Sequence, residues 1–78
     1  MADLSKVLTD LARAIVDAPD AVSVTESADG DNVLLELHVA EDDMGKVIGR
    51  HGRIAHALRM VMKAAGTVSG KKITVEIR

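Results

Sequence analysis

The chain of 78 residues has no cysteine, no phenylalanine, tyrosine or tryptophan, and a single proline. Each absence excludes some chemistry. Without cysteine there is no disulfide framework and no thiolate metal site, which suits a reducing compartment. Without aromatic rings there is no platform on which bases stack and no cage for a quaternary ammonium ligand. Long apolar runs are also missing. The first helical stretch, Leu4 to Val16, carries Lys6, Asp10 and Arg13, and is too short and too charged for a membrane span or a signal peptide. A soluble cytoplasmic protein with no membrane association is expected.

What is present is unevenly distributed. Net charge is only −2, yet residues 1–43 hold eleven acidic and two basic residues, and residues 44–78 hold eight basic and one acidic. The halves carry −9 and +7. Such asymmetry suggests one surface that meets an anion and another that stays in water. The length allows one domain, 1–78, and a chain this short buries only about 60% of its unfolded surface. Self-association or a partner would therefore help it.

Apolar periodicity outlines the elements. Asp3 is placed to cap a helix with Leu4, Val7, Leu8, Leu11 and Ile15 on one face, and Pro19 ends it near Asp17 or Ala18. Val22 and Val24 alternate with Ser23 and Thr25 as a strand. A turn centred on Gly30 leads into "VLLELHV", with Val33, Leu35, Leu37 and Val39 inward, and the two strands should form an antiparallel hairpin. Asp42 or Asp43 then caps a short helix with Met44, Val47 and Ile48 on one face, which Gly49 closes. A longer helix is expected from Arg53 to Ala65, its apolar face Ile54, Ala57, Leu58, Val61 and Ala65 and its polar face Arg53, His56, Arg59 and Lys63. "GTVSGKK" reads as a loop, and "KITVEIR" as a last strand with Ile73, Val75 and Ile77 inward. The order α-β-β-α-α-β predicts a two-layer α+β sandwich, a three-stranded sheet with helices on one face.

The segment "VIGRHG" interrupts two helices with two glycines around a basic pair. Glycine lacks a Cβ, so a ligand backbone can come close to the main chain. The start of the next helix offers amide donors and the positive end of its dipole to an anion. Arg50 is able to grip a phosphate through two parallel hydrogen bonds, His51 to donate from its ring, and Lys46 and Arg53 flank the break with further charge. A plain helix–helix turn would also use both glycines. The basic tip and the change of charge sign at this point favour a binding role.

Other constellations carry less. His38, His51 and His56 lack a common face and a thiolate companion, so no metal site is expected. Ser, His and Asp occur without a recognisable nucleophile setting. "GKVIG" lacks the Gly-Lys-Ser/Thr ending of a Walker loop. No catalysis and no cofactor are expected. Met60 and Met62 form an apolar fringe on the last helix, and Ala55, Ala57, Ala64 and Ala65 make it smooth enough for another helix to approach. Ordinary core and rim would account for the same residues.

"VIGRHG" followed by "RIAHALR" resembles the Gly-x-x-Gly signature of KH domains. Together with "LSKVLTDLARAIVD", the order of elements and the length, it resembles the small stand-alone bacterial KH-domain proteins, the KhpA or YlqC-like family, over essentially the whole chain. The resemblance implies a type II KH fold and single-stranded RNA held as about four nucleotides by the loop. It implies an RNA chaperone or post-transcriptional regulator linked to cell shape and cell-wall biogenesis. It also implies a homodimer or a heterodimer with a second RNA-binding protein of the KhpB or Jag kind. By position, Gly49, Arg50, His51 and Gly52 match the loop, Lys46 and Arg53 its basic flanks, and Val47, Ile48 and Ile54 its aliphatic surround, with the second strand completing a groove. KH domains generally place an aliphatic residue three positions after the second glycine; here that position is Ala55, and the aliphatic is Ile54. Two other readings remain: a pairing module whose partner supplies most of the RNA contact, and a small nucleotide-binding domain.

Overall fold

The structure, a computed structural model, describes residues 3–78. The Asp3 carboxylate caps the first helix, α1 (Leu4–Arg13), accepting from the amides of Ser5 at 3.1 Å and Lys6 at 3.3 Å. Leu4, Leu8 and Ala12 form its buried stripe, with Val7, Leu11 and Ile15 alongside. The helix stops at Arg13, well before Asp17 or Ala18. The Ala12 carbonyl accepts from both Ile15 and Val16, which tightens the last turn. The next amides, of Asp17 and Ala18, donate to the carboxylate of Asp43 at 3.2 and 3.0 Å. A partner 25 or 26 residues away has displaced the local helical pattern, and no periodicity reveals that.

Strands β1 (Ser23–Asp29) and β2 (Asn32–His38) form the expected antiparallel hairpin, closed by Gly30 and Asp31, with Gly30 at φ 61°. Strand β3 (Lys72–Ile77) runs parallel to β2, giving a mixed sheet in the order β1-β2-β3. Val33, Leu35, Leu37 and Val75 are buried on the inner face under α1 and the last helix, α3 (Arg53–Val68). The outer face is polar: Arg78 bridges Glu36 at 2.8 Å and Glu76 at 2.7 Å, and His38 lies 3.3 Å from the Thr25 hydroxyl.

Helix α3 departs from expectation in length and in rotation. It continues past Ala65 to Val68, because Gly66 packs where a side chain would not fit: a Cβ there would lie 2.9 Å from the Lys71 carbonyl and against Ile73. The helix ends in a Schellman motif, with Lys71 N–H donating to Gly66 O at 2.7 Å, Gly70 N–H donating to Thr67 O at 3.1 Å, and Gly70 at φ 74°. Its core stripe is Ala55, Leu58, Met62 and Gly66. Ile54, Ala57 and Val61, expected inside, are exposed; of the two methionines only Met60 is on the surface. The periodic pattern contained two adjacent apolar stripes sharing Leu58, and packing on the sheet buried the one that runs through Ala55, Met62 and Gly66.

Helix α2 (Met44–Ile48) is a turn and a half, preceded by a 3₁₀ turn over Glu41–Asp43. Asp43 is buried and makes no cap to α2; its carboxylate serves the α1–β1 connector instead. Val47 is fully buried and plugs α2 into the interior.

Candidate nucleic-acid interface

The turn between α2 and α3 is short and specific. Gly49 N–H donates to Gly45 O at 2.8 Å, ending α2, and Gly52 N–H donates to Gly49 O at 3.1 Å, closing a 3₁₀ turn over Arg50–Gly52. The amide of Arg53 donates to the Arg50 carbonyl. The amides of Gly52 and Arg53, expected to be open to an anion at the start of α3, are thus spent within the turn.

The two glycines are required for different reasons. Gly49 adopts φ 75°, ψ 173°, a region that essentially only glycine enters, and a Cβ there would meet the Ile54 side chain and sit 3.0 Å from the Ile54 amide nitrogen. Gly52 is left-handed at φ 72°, ψ 15°, and nothing lies within 4 Å of where its Cβ would stand. Gly49 therefore serves the fold, while Gly52 keeps a bare stretch of backbone open to solvent. His51 between them is also left-handed, at φ 58°, ψ 24°. Histidine tolerates this better than most residues, though still with strain.

The structure sorts the candidate residues. Arg50, His51 and Arg53 are exposed around the turn and make no ion pair among the described residues. Ile48 and Ile54, 40% and 38% exposed, form an apolar pair on either side of Gly49. Ala55, at the position where KH domains generally carry an aliphatic residue, is buried, and Ile54 folds back over Gly49 in its place. One expected contact falls away, and one expected cation is exposed but paired. Val47 has no exposed surface and cannot touch a ligand. Lys46 is ion-paired with Asp17 and lies 3.9 Å from Asp43. The hydrogen bond to Asp17 is the main reason its pKa lies above the ordinary lysine value.

A further correction concerns the strand beside the loop. Strand β2 is central, hydrogen-bonded on both sides; the strand that α3 flanks is β3. Lys72 N–H donates to Asp31 O and Arg78 N–H to Leu37 O, so even-numbered positions of β3 bond to β2. The backbone groups of Ile73, Val75 and Ile77 then point to the open edge, where the Val75 carbonyl accepts from Arg59 Nε at 3.3 Å. Arg59 belongs to the exposed basic face of α3 with Arg53, His56 and Lys63. The basic face of α3 thus borders the open edge of β3. The sequence displayed this basic face, but without the strand order it could not be tied to the loop. No group of three His, Asp or Glu residues suited to a metal ion occurs among the described residues.

Three helices with a three-stranded mixed sheet in this order, and a Gly-x-x-Gly turn joining the second helix to the third, define a type II KH domain. A sequence profile of the KhpA/KhpB KH domain matches residues 5–77, and the chain belongs to that family, which is non-enzymatic. It is 47% identical over 74 residues to the RNA-binding protein KhpA of Clostridium acetobutylicum, covering 95% of this chain and 99% of that protein. It is 46% identical to the RNA-binding protein KhpA of Caldanaerobacter subterraneus, with the same coverage. Among solved structures, a GDP.AlF4-bound Era of Aquifex aeolicus superimposes with a TM-score of 0.68 at 15% identity, over 95% of this chain and 29% of that one. That likeness concerns the fold.

Proposed function

We propose that the chain, residues 1–78, is one KH domain that binds single-stranded RNA by laying the sugar–phosphate backbone across the Gly49–Gly52 turn. The observation that carries this reading is the open backbone at Gly52, ringed by exposed Arg50, His51 and Arg53. Relatives that match over nearly their whole length are named RNA-binding proteins, which supports the same ligand. Arg50 holds phosphate through paired hydrogen bonds, and His51 and Arg53 add donors and charge. Ile48 and Ile54 give bases an apolar floor, and the groove between α3 and the β3 edge carries about four nucleotides. No aromatic ring is available for stacking, so one domain binds weakly and gains from a second. The role that fits is a cytoplasmic RNA chaperone or post-transcriptional regulator, acting with a second protein of the KhpB or Jag kind in the control of cell shape.

The test is Arg50→Asp with His51→Asp. Binding of a labelled oligopyrimidine RNA should be lost while the circular dichroism spectrum is kept. For the wild type, log K should fall with log salt at about −0.7 per phosphate contacted. RNA binding that survives the double substitution, or that ignores salt, would overturn the loop assignment.

A pairing role has its own support. Ile54, Ala57, Val61, Ala64 and Val68 repeat at alternating steps of three and four along the exposed side of α3, with Val61 48% and Val68 90% exposed. That is the spacing of a helix–helix seam. It supports a homodimer, or a heterodimer with the second KH protein, formed through α3.

A further inference from the structure

We infer that Asp43 is the positioning residue of the RNA site, holding the Gly49–Gly52 turn in place through α2; the inference rests on the RNA-binding reading above. Asp43 is the buried charged side chain of the core, and nothing in the proposed contact with RNA uses it. Its two carboxylate oxygens are both engaged, one by the amide of Asp17 at 3.2 Å and the other by the amide of Ala18 at 3.0 Å. One turn later Lys46 pairs with the Asp17 carboxylate and stands 3.9 Å from Asp43. The α1–β1 connector and the start of α2 are therefore tied at two points.

The tie matters because α2 cannot hold itself. A helix of five residues is far below the length that is stable alone, so its placement comes from tertiary contacts. Three anchor it: Val47 in the interior, the Asp43 carboxylate and the Lys46–Asp17 pair. At about 1.5 Å per residue, Gly49 lies only about 9 Å along the axis from Asp43, so the turn follows any tilt of α2. The turn itself has no margin. Ile54 packs on Gly49 so closely that a methyl group would not fit, and a shift of α2 pulls Gly49 out from under Ile54. Asp43 thus couples a connector outside the binding surface to the geometry of the loop. Lys46, matched by position to a phosphate contact, instead serves this tie.

The test uses the full chain with a labelled oligopyrimidine RNA as probe, well below the melting temperature of each variant. Asp43→Ala leaves the two connector amides without an acceptor, and Asp43→Asn keeps the shape and one acceptor oxygen if alanine impairs folding. If the docked turn falls to about a tenth of the population, apparent affinity falls about tenfold. The slope of log K against log salt stays that of the wild type, because no phosphate contact is removed. Amides of residues 49–52 exchange hydrogen faster in the variant. Val33→Ala, at the far end of the core, is the control for simple destabilisation: it lowers the melting temperature but keeps affinity and loop exchange. The inference is overturned if the Asp43 variants bind RNA as tightly as the wild type, or if they weaken binding no more than Val33→Ala. It is also overturned if the salt slope falls, which would mean that the substitution removes a phosphate contact by a cation such as Lys46. Failure of the wild type to bind RNA is a separate outcome that removes the parent reading; faster exchange at 49–52 in the Asp43 variants would still report the positioning.

Discussion

Replacing each loop glycine by alanine should have opposite consequences for folding and for binding. At Gly49 the backbone lies at φ 75°, ψ 173°, and a Cβ would press on Ile54. Strain of this kind costs about 1–3 kcal/mol and overpacking about 1–3 more, so Gly49→Ala should lose about 3 kcal/mol. A domain of this length has roughly 4–12 kcal/mol of stability in all, so the loss is large. At about 4–8 °C per kcal/mol it corresponds to a drop in melting temperature of about 12–24 °C. At Gly52 the left-handed conformation costs an alanine about 1 kcal/mol, partly offset by the smaller entropy of its unfolded chain, for a net loss near 0.5 kcal/mol or a few degrees. Space around Gly52 is open, so its new methyl group disturbs nothing in the protein and stands where the RNA backbone would pass. Gly52→Ala should therefore weaken RNA binding at least tenfold in fluorescence anisotropy while melting almost normally by circular dichroism. Equal losses of melting temperature at the two positions, or normal RNA binding by Gly52→Ala, would refute the division of roles between the glycines.

Two further outcomes are expected. The Asp3 carboxylate is held below its ordinary pKa of 3.8, first by the hydrogen bond from the Ser5 side chain and then by the Lys6 amide. Its contribution is present above the unfolded value and is lost as pH falls through the folded one, so the melting temperature should decline below about pH 4; Asp3→Ser, which caps without titrating, should show a shallower decline over the same range. Val61→Glu places a charge in the exposed stripe of α3, where it should change stability by no more than about 0.5 kcal/mol but convert any self-associated form to monomer in sedimentation equilibrium; an unchanged mass in a protein that does self-associate would move the pairing surface elsewhere.

The hairpin was readable because its signals are local. Alternation of Val33, Leu35 and Leu37, with Gly30 at the turn, requires no knowledge of the rest of the chain. The same holds for Asp3 and for the turn at Gly49–Gly52, where glycine types the backbone directly. Readings failed where a distant partner decided. Asp43 looked like a helix cap because three acidic residues precede α2, yet the amides that it satisfies belong to residues 17 and 18. Lys46, a basic flank of the loop, stays exposed, and its pairing with Asp17 likewise had no local signal. On α3 the pattern held two adjacent apolar stripes, and periodicity alone did not tell which one the sheet would cover. Gly66 ended the expected helix early, although its missing side chain is what lets the helix lie against Ile73.

From the amino-acid order alone came the α+β class, the order of elements, the loop and its charged tip, and the sign change that marks it. These rest on local backbone preference and on side-chain charge, which act over a few residues. Tertiary structure decided which strand lies beside α3, which face of α3 is buried, and which cations are paired. Each of those depends on groups far apart in the chain competing for the same donor, the same volume or the same countercharge. Hence Arg50, His51 and Arg53 are exposed and unpaired among the described residues, while Lys46, also exposed, is paired with Asp17.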